Sequence, residues 1–296
     1  MPRHARLADR ASLGSNGRVN DRSGILVQYL RQLQRHGVTR IRLDEGAREV
    51  LRVRYRAGRA RPPGQSAAPA PPPAPAETIM EPDPGEGAPS GQLAALREQA
   101  RHWPPVRALG SLRETMVFAT GNPEADLMLV GEAPGYEEER RQQPFVGQAG
   151  RKLDRILAAM GLDRDKVYIS NICKFRPAMR NQTTNNRKPT PAEMQACLPF
   201  IRAEIGIVRP KCIVALGATA AEGLLDRSDP VGRLRGSWHE FEGIPVRVTY
   251  HPSYLLHNEA ALGEKRKVWD DMLEVMKLLG MPITEKQQRF FGGTQA

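Results

Sequence analysis

Residues 131–150 read GEAPGYEEERRQQPFVGQAG and follow directly on the apolar run LMLV at 127–130. An apolar run that breaks at Gly-x-x-Pro-Gly and passes into charge reads as a buried strand opening into a loop. A phosphate-binding loop would pack several glycines around a Lys or Arg. This loop instead carries Glu132, Glu137, Glu138 and Glu139, in a chain of formal net charge +11. Why a basic protein gathers carboxylates at its best strand end is the question this stretch sets.

Working outward, the same kind of run recurs. Strand candidates are 116–119, 127–130, 167–171, 212–216 and 245–250. Between and after them lie helical spacings: Leu153, Ile156, Leu157 and Met160; Met194, Cys197, Leu198, Ile201 and Ile205; Val268, Met272, Val275 and Met276. Near-continuous apolar strands alternating with helices predict a three-layer α/β/α fold around a mostly parallel sheet of four to five strands. In such sheets ligands bind beyond the carboxyl ends of the strands. The polar residues at those ends are Glu132, Asn171 and His251. Each has a plain structural reading when taken alone: Asn171 as a turn-capping side chain, His251 as a satisfied core imidazole.

The alternating pattern predicts a main domain over 93–283, with a flexible tail at 284–296. Residues 61–92 form a linker, since ten of the chain's 25 prolines fall within 61–90 among Ala, Gly and Ser. Before it, Leu26, Tyr29, Leu30 and Leu33 recur at helical spacing, which gives residues 1–60 a small helical appendage too short for its own core. No apolar run reaches the roughly 18–20 residues of a membrane span. The N-terminus lacks the apolar core of a secretory signal, so the cytosol is the expected location, and a monomer the expected state. The 44 Lys and Arg against 33 Asp and Glu favour an anionic partner, nucleic acid first. Three cysteines, Cys173, Cys197 and Cys212, show no disulfide framework. Cys173 and Cys212 read as packing thiols in apolar strands.

Five segments together, GEAPG…PFVGQAG, VYISNICKFRP, PTPAE, IVALGATAAEGLL and YHPSYLL, resemble the uracil-DNA glycosylase superfamily. The pattern is most similar to the bacterial and archaeal family-4 branch, over roughly 95–280, in that branch's order and spacing. The resemblance implies an enzyme that flips uracil out of DNA, single- or double-stranded, and hydrolyses its N-glycosidic bond without cutting the strand. It implies that Asn171 reads uracil O4 and N3–H, Phe145 stacks on the extruded base, and His251 donates to O2 as charge gathers there. It places Glu132 and Glu138 on the pocket wall, to polarise a water or favour the oxocarbenium ion, with Glu138 alternatively excluding thymine's methyl group. Ala133 stands where the best-known branch has a water-positioning aspartate. Glu137 and Glu139 read as a solvated face. Ser253, Tyr254 and Leu255 are implied to press into the duplex where the base has left.

Two departures matter. Family-4 enzymes bind a [4Fe–4S] cluster through a C-x-x-C pair, the Cys of KCRP and one on the following helix. Here only Cys197 matches; Pro104, Arg107 and Phe175 occupy the other places. A cubane needs four ligands, so no cofactor or metal is expected, with Trp103 and Phe175 filling the space. The second departure is AMRNQTTNNRK at 178–188, longer than usual. Its Arg180, Arg187 and Lys188 are candidate phosphate contacts, or a solvated polar loop. It lacks the histidine with which one branch crosslinks itself to DNA, which favours turnover. The rival functions are a glycosylase for another deaminated base, hypoxanthine or xanthine, and a DNA-binding relative of weak activity.

Overall fold

The computed structural model describes residues 87–257 and 261–291. The appendage at 1–60 and most of the linker lie outside the described residues. The fold is entered earlier than the proline content predicts. Helix α1 (Pro89–Arg101) starts with a proline in its first turn, where the missing N–H costs nothing, and buries Leu93, Leu96 and Ala100. Helix α2 (Pro104–Leu109) follows.

The central sheet has six strands in the order β2 (Thr120–Gly121), β4 (Tyr168–Asn171), β3 (Leu127–Gly131), β6 (Cys212–Leu216), β8 (Ile244–Thr249), β7 (Trp238–Phe241). The four inner strands are parallel, and β2 and β7 close the edges antiparallel. The expected α/β/α architecture is present, with two short edge strands more than the apolar runs reveal. The apolar stretch at 116–119 is not a sheet strand. Instead β1 (Leu112–Met116) pairs with β5 (Phe175–Pro177) as a separate two-stranded ribbon.

Helices cover both faces. On one, α5 (Pro191–Val208) begins with a capping box in which Thr190 and Glu193 exchange side-chain-to-backbone hydrogen bonds. It shares a core with Trp103, Phe175 and α6 (Ala218–Leu225). On the other, α4 (Gln148–Met160) and α9 (Leu262–Leu278) bury Leu153, Leu157, Met272 and Val275 against Leu129 and Val214. The short segments between are α3 (Tyr136–Arg141), α7 (Val231–Leu234), α8 (Pro252–His257) and α10 (Glu285–Gln288).

Residues 284–291 depart from the flexible tail expected at 284–296, of which 292–296 lie outside the described residues. Thr284 caps α10, the Trp269 indole donates to the Gln287 carbonyl at 2.7 Å, and the Gln287 amide donates to Ala159 O at 2.8 Å. Two hydrogen bonds and the Trp269–Phe290 ring contact at 5.3 Å dock 284–291 on the domain. None of these contacts is local in sequence, so polar composition alone points the wrong way.

From β3 the chain steps to β4 on one side, then crosses to β6 on the other. That reversal opens a crevice at the carboxyl ends of β3 and β6. The four inner strands deliver Gly131, Asn171, Leu216 and Thr249 to this edge, each at the last position of its strand.

Candidate active site

A cavity of about 410 Å³ occupies that edge. Glu132, Ala133, Glu138, Phe145, Asn171 and His251 all line it. Residues scattered over 120 positions of sequence meet because four parallel strands end there.

Asn171 is 2% exposed, and its side-chain amide makes no hydrogen bond to another described residue. Its donor and its acceptor both open onto the cavity, where a ligand can pair with them. Its backbone is held firmly. Lys174, wholly buried and paired with Glu204, donates to the Asn171 carbonyl at 2.9 Å and to Ser170 Oγ at 2.6 Å. The next two residues are pinned to the neighbouring strand end, Ile172 N–H to Gly131 O and Cys173 N–H to Glu132 O, both at 3.0 Å.

Phe145 sits in left-handed backbone, φ 55°, an unusual conformation for an aromatic residue. Three things hold it there. Arg164, anchored on Asp154, donates to the Pro144 and Phe145 carbonyls. Glu138 Oε1 accepts from the N–H groups of Val146 and Gly147 at 2.9 and 2.8 Å. Gly150 lets the Phe145 carbonyl lie where any Cβ would overlap it. The Phe145 ring is thereby turned into the cavity, 5.6 Å from the imidazole of His251.

His251 Nδ1 accepts from the Ser253 N–H at 3.2 Å and lies 2.8 Å from Ser253 Oγ. With Nδ1 serving as acceptor, the neutral ring carries its proton on Nε2. Burial pushes its pKa down to about 4, so the ring is neutral at physiological pH. Gly217, φ 96°, admits His251 closely; a Cβ there would stand 3.0 Å from the histidine Cβ.

The carboxylates divide their work. Glu132 accepts from the Thr219 hydroxyl, and burial, only partly offset by Thr219 and Lys188, raises its pKa above the ordinary value. Glu138 spends one oxygen on the Phe145 loop and turns the other toward Gly135. Glu139 is not on a solvated face: it is buried, bridging Arg113 and Arg176. Glu137 remains partly exposed, 3.8 Å from Arg141. A helix of six residues turns its i and i+1 carboxylates to different surroundings, which charge patterning cannot distinguish.

Several DNA-contact expectations change. Leu255 is 3% exposed and packs inward, while Tyr254 is 40% exposed and stacks on Tyr250 at 4.7 Å. Ser253 serves His251. Arg187 lines the cavity, and its guanidinium braces the loop through Glu193, Ala178 O and Ser111 O. Lys188 lines the cavity and pairs with Glu222 at 2.7 Å. Arg180 is exposed. Several lining residues have no sequence signal for the site, Thr219, Gly217 and Asn186 among them; Asn186 reaches the cavity from the 178–188 segment. Its Oδ1 accepts from Arg176 at 2.9 Å, which turns Nδ2 toward Gly135 and Glu138. An Asn in a polar loop carries no sequence signal for this.

The residues at the cluster positions do not fit a cubane. Phe175 is wholly buried with the Arg107 guanidinium 5.0 Å over its ring, and Trp103 packs edge-on against Phe200 at 5.4 Å. Cys173 lies beyond the end of β4, not within a strand, and its thiol donates to Cys197; that bond and burial raise its pKa. Two thiols meet there, and the described residues contain no group of three or more side chains fit for a metal ion. Cys212 is buried in β6.

A family model of the uracil DNA glycosylase superfamily matches residues 118–273. The chain belongs to that superfamily, in its family-4 branch. It is 40% identical over 167 residues to the type-4 uracil-DNA glycosylase of Thermotoga maritima, covering 56% of this chain and 83% of that one. With the type-4 enzyme of Pyrobaculum aerophilum it shares 36% over 167 residues, 54% and 82% of the two chains. With the type-5 uracil-DNA glycosylase of Thermus thermophilus it shares 32% over 136 residues, 41% and 57%. The cavity lies within the matched span, and side chains fill the positions where the family-4 pattern has its cluster cysteines.

Proposed function

We propose that the protein is a monofunctional uracil-DNA glycosylase that works as a monomer on cytosolic DNA, without an iron–sulfur cluster. The observation that carries this reading is the Asn171 amide, free of side-chain hydrogen bonds to other described residues and open to a cavity that Phe145 and His251 also line. An amide can both donate and accept, which matches uracil O4 and N3–H and mismatches cytosine. The extruded base stacks on Phe145, a contact worth about 1–3 kcal/mol.

Bond cleavage leaves negative charge on the base and positive charge on the sugar. His251 donates Nε2–H to uracil O2, a hydrogen bond that strengthens as that charge develops. A neutral imidazole suits this role, because it stabilises the anion without surrendering its proton. Glu132 lies beneath the sugar side as an electrostatic partner for the oxocarbenium ion. The free oxygen of Glu138 and the Nδ2 group of Asn186 form the polar edge that holds the attacking water. Tyr254, exposed on its stack with Tyr250, is the side chain of its loop that enters the gap in the duplex.

The test is cleavage of uracil-containing single- and double-stranded oligonucleotides, with alkali to reveal abasic sites. Hypoxanthine and xanthine substrates run beside them separate the deaminated-base alternative. No cleavage of any of these, with DNA still bound, would leave the protein a binding relative.

A further inference from the structure

We propose that Arg176 is a positioning residue for the reaction: it sets the orientation of the Asn186 amide, so that Nδ2 rather than Oδ1 faces the pocket. Arg176 is 2% exposed at the centre of β5, the ribbon strand that leaves the site. Its guanidinium uses every edge. Nε donates to Asn186 Oδ1 at 2.9 Å, and one terminal nitrogen donates to Glu139 at 2.9 Å. The other donates to Thr183 O at 2.9 Å and Asn185 O at 2.8 Å. Glu139 is held in turn by Arg113, and the Tyr136 ring lies 5.5 Å from the guanidinium carbon.

An asparagine on an exposed loop has two nearly isosteric amide orientations, and its hydrogen-bond partners choose between them. Here the choice is made by a donor that cannot become an acceptor, because guanidinium stays protonated. Nδ2 therefore faces Gly135, where it lies 3.0 Å from the place of a Cβ, with Glu138 Oε2 at 2.7 Å from the same place. The buried Glu139–Arg176 pair also fastens the loop by two backbone carbonyls, so amide orientation and loop position are set by one side chain. The carboxylate gathering at 137–139 is thus explained in part by an arginine anchor behind the pocket. A lysine would keep the charge but cannot bond four groups in one plane.

The inference rests on the glycosylase reading for its rate measurement only. Single-turnover uracil cleavage at saturating enzyme is measured for Arg176→Lys, Arg176→Met, Asn186→Ala and the double variant Arg176→Met/Asn186→Ala, with the melting temperature of each. Arg176→Met is expected to slow cleavage about tenfold or more, and the double variant to be no slower than Asn186→Ala alone, since contacting residues acting through one group are not additive. Arg176→Lys should also be slow. In NMR spectra the Asn186 side-chain NH₂ pair should move in Arg176→Lys. Should Arg176→Met fail to fold, the cycle is completed with Arg176→Lys. Losses that multiply in the double variant, or a lysine variant with unchanged rate and unmoved NH₂ resonances, would overturn the proposal. If the wild-type protein cleaves no uracil, the functional reading fails, and the NH₂ resonances alone decide this one.

Discussion

Asn171 and Phe145 close on a single point above the Cα of Gly131. A Cβ placed there would overlap Asn171 Oδ1 and come within 2.5 Å of the Phe145 ring. Gly131 lies at the end of β3 with ordinary backbone, so a methyl group suits the chain, and the three atoms nearest it all belong to Asn171 and Phe145. Gly131→Ala should cut cleavage by at least about 100-fold, the scale of a misplaced reacting group, while melting within a few degrees of wild type. An unchanged cleavage rate in this variant would mean that the base is not read between Asn171 and Phe145.

The two elements should fail differently. Asn171→Ala removes the only partners for the buried base edge and should lose uracil recognition, at about 1–3 kcal/mol for each unpaired group. Phe145→Ala should weaken binding and rate moderately through lost stacking, with base preference retained. Competition between uracil and cytosine substrates distinguishes them.

His251→Ala should lose about 100- to 1,000-fold in the chemical step with little change in DNA affinity. With its pKa pushed down to about 4 by burial, the ring stays neutral as pH falls from 8 to 5. His251 therefore contributes no acid limb in that range. Glu132, held above the ordinary carboxylate value by burial, is the group expected to titrate first, and Glu132→Gln should remove the limb. For stability the sign is fixed: the unfolded histidine binds its proton near pH 6.5 and the folded one only near 4. Its contribution is intact above 6.5 and is lost as pH falls from there toward 4. A melting-temperature series should show less acid destabilisation in His251→Ala over that window.

Glu138 serves two masters, and substitutions separate them. Glu138→Gln keeps an oxygen for the Val146 and Gly147 amides but faces the water with a donor, so kcat should fall with KM held. Glu138→Ala frees the Phe145 loop as well and should raise KM. New activity on thymine in Glu138→Gln, with little loss on uracil, would instead assign the side chain to methyl exclusion.

The purified protein should be colourless, without the broad absorbance near 400 nm of a cubane. Iron and sulfide assays check this, and stoichiometric amounts of both would refute it. Substituting Phe175→Cys alone should not restore iron, because Pro104 and Arg107 leave the donor set incomplete.

Much of this protein was legible in its residues alone. The parallel core strands, the covering helices and the meeting of Glu132, Asn171 and His251 follow from apolar runs ending in polar residues, since strand direction places all those ends on one edge; Phe145 joins them only through the family resemblance. The family resemblance rests on the same segments. What tertiary structure decided is the use of each polar group. Glu137, Glu138 and Glu139 are indistinguishable as neighbouring acids. One is partly exposed, one is tied to the Phe145 loop and one is buried between arginines. Arg187 reads as a candidate phosphate contact, and its pairing with Glu193 at the cavity wall is something only the fold reveals. Asn186 looks like loop and lines the pocket. Leu255 packs inward and Tyr254 stays exposed, although the resemblance gives both the same place against the duplex. The physical reason is one of range. Periodicity reports which face of an element is apolar, whereas a hydrogen-bonding partner is set by whichever distant segment folds against it.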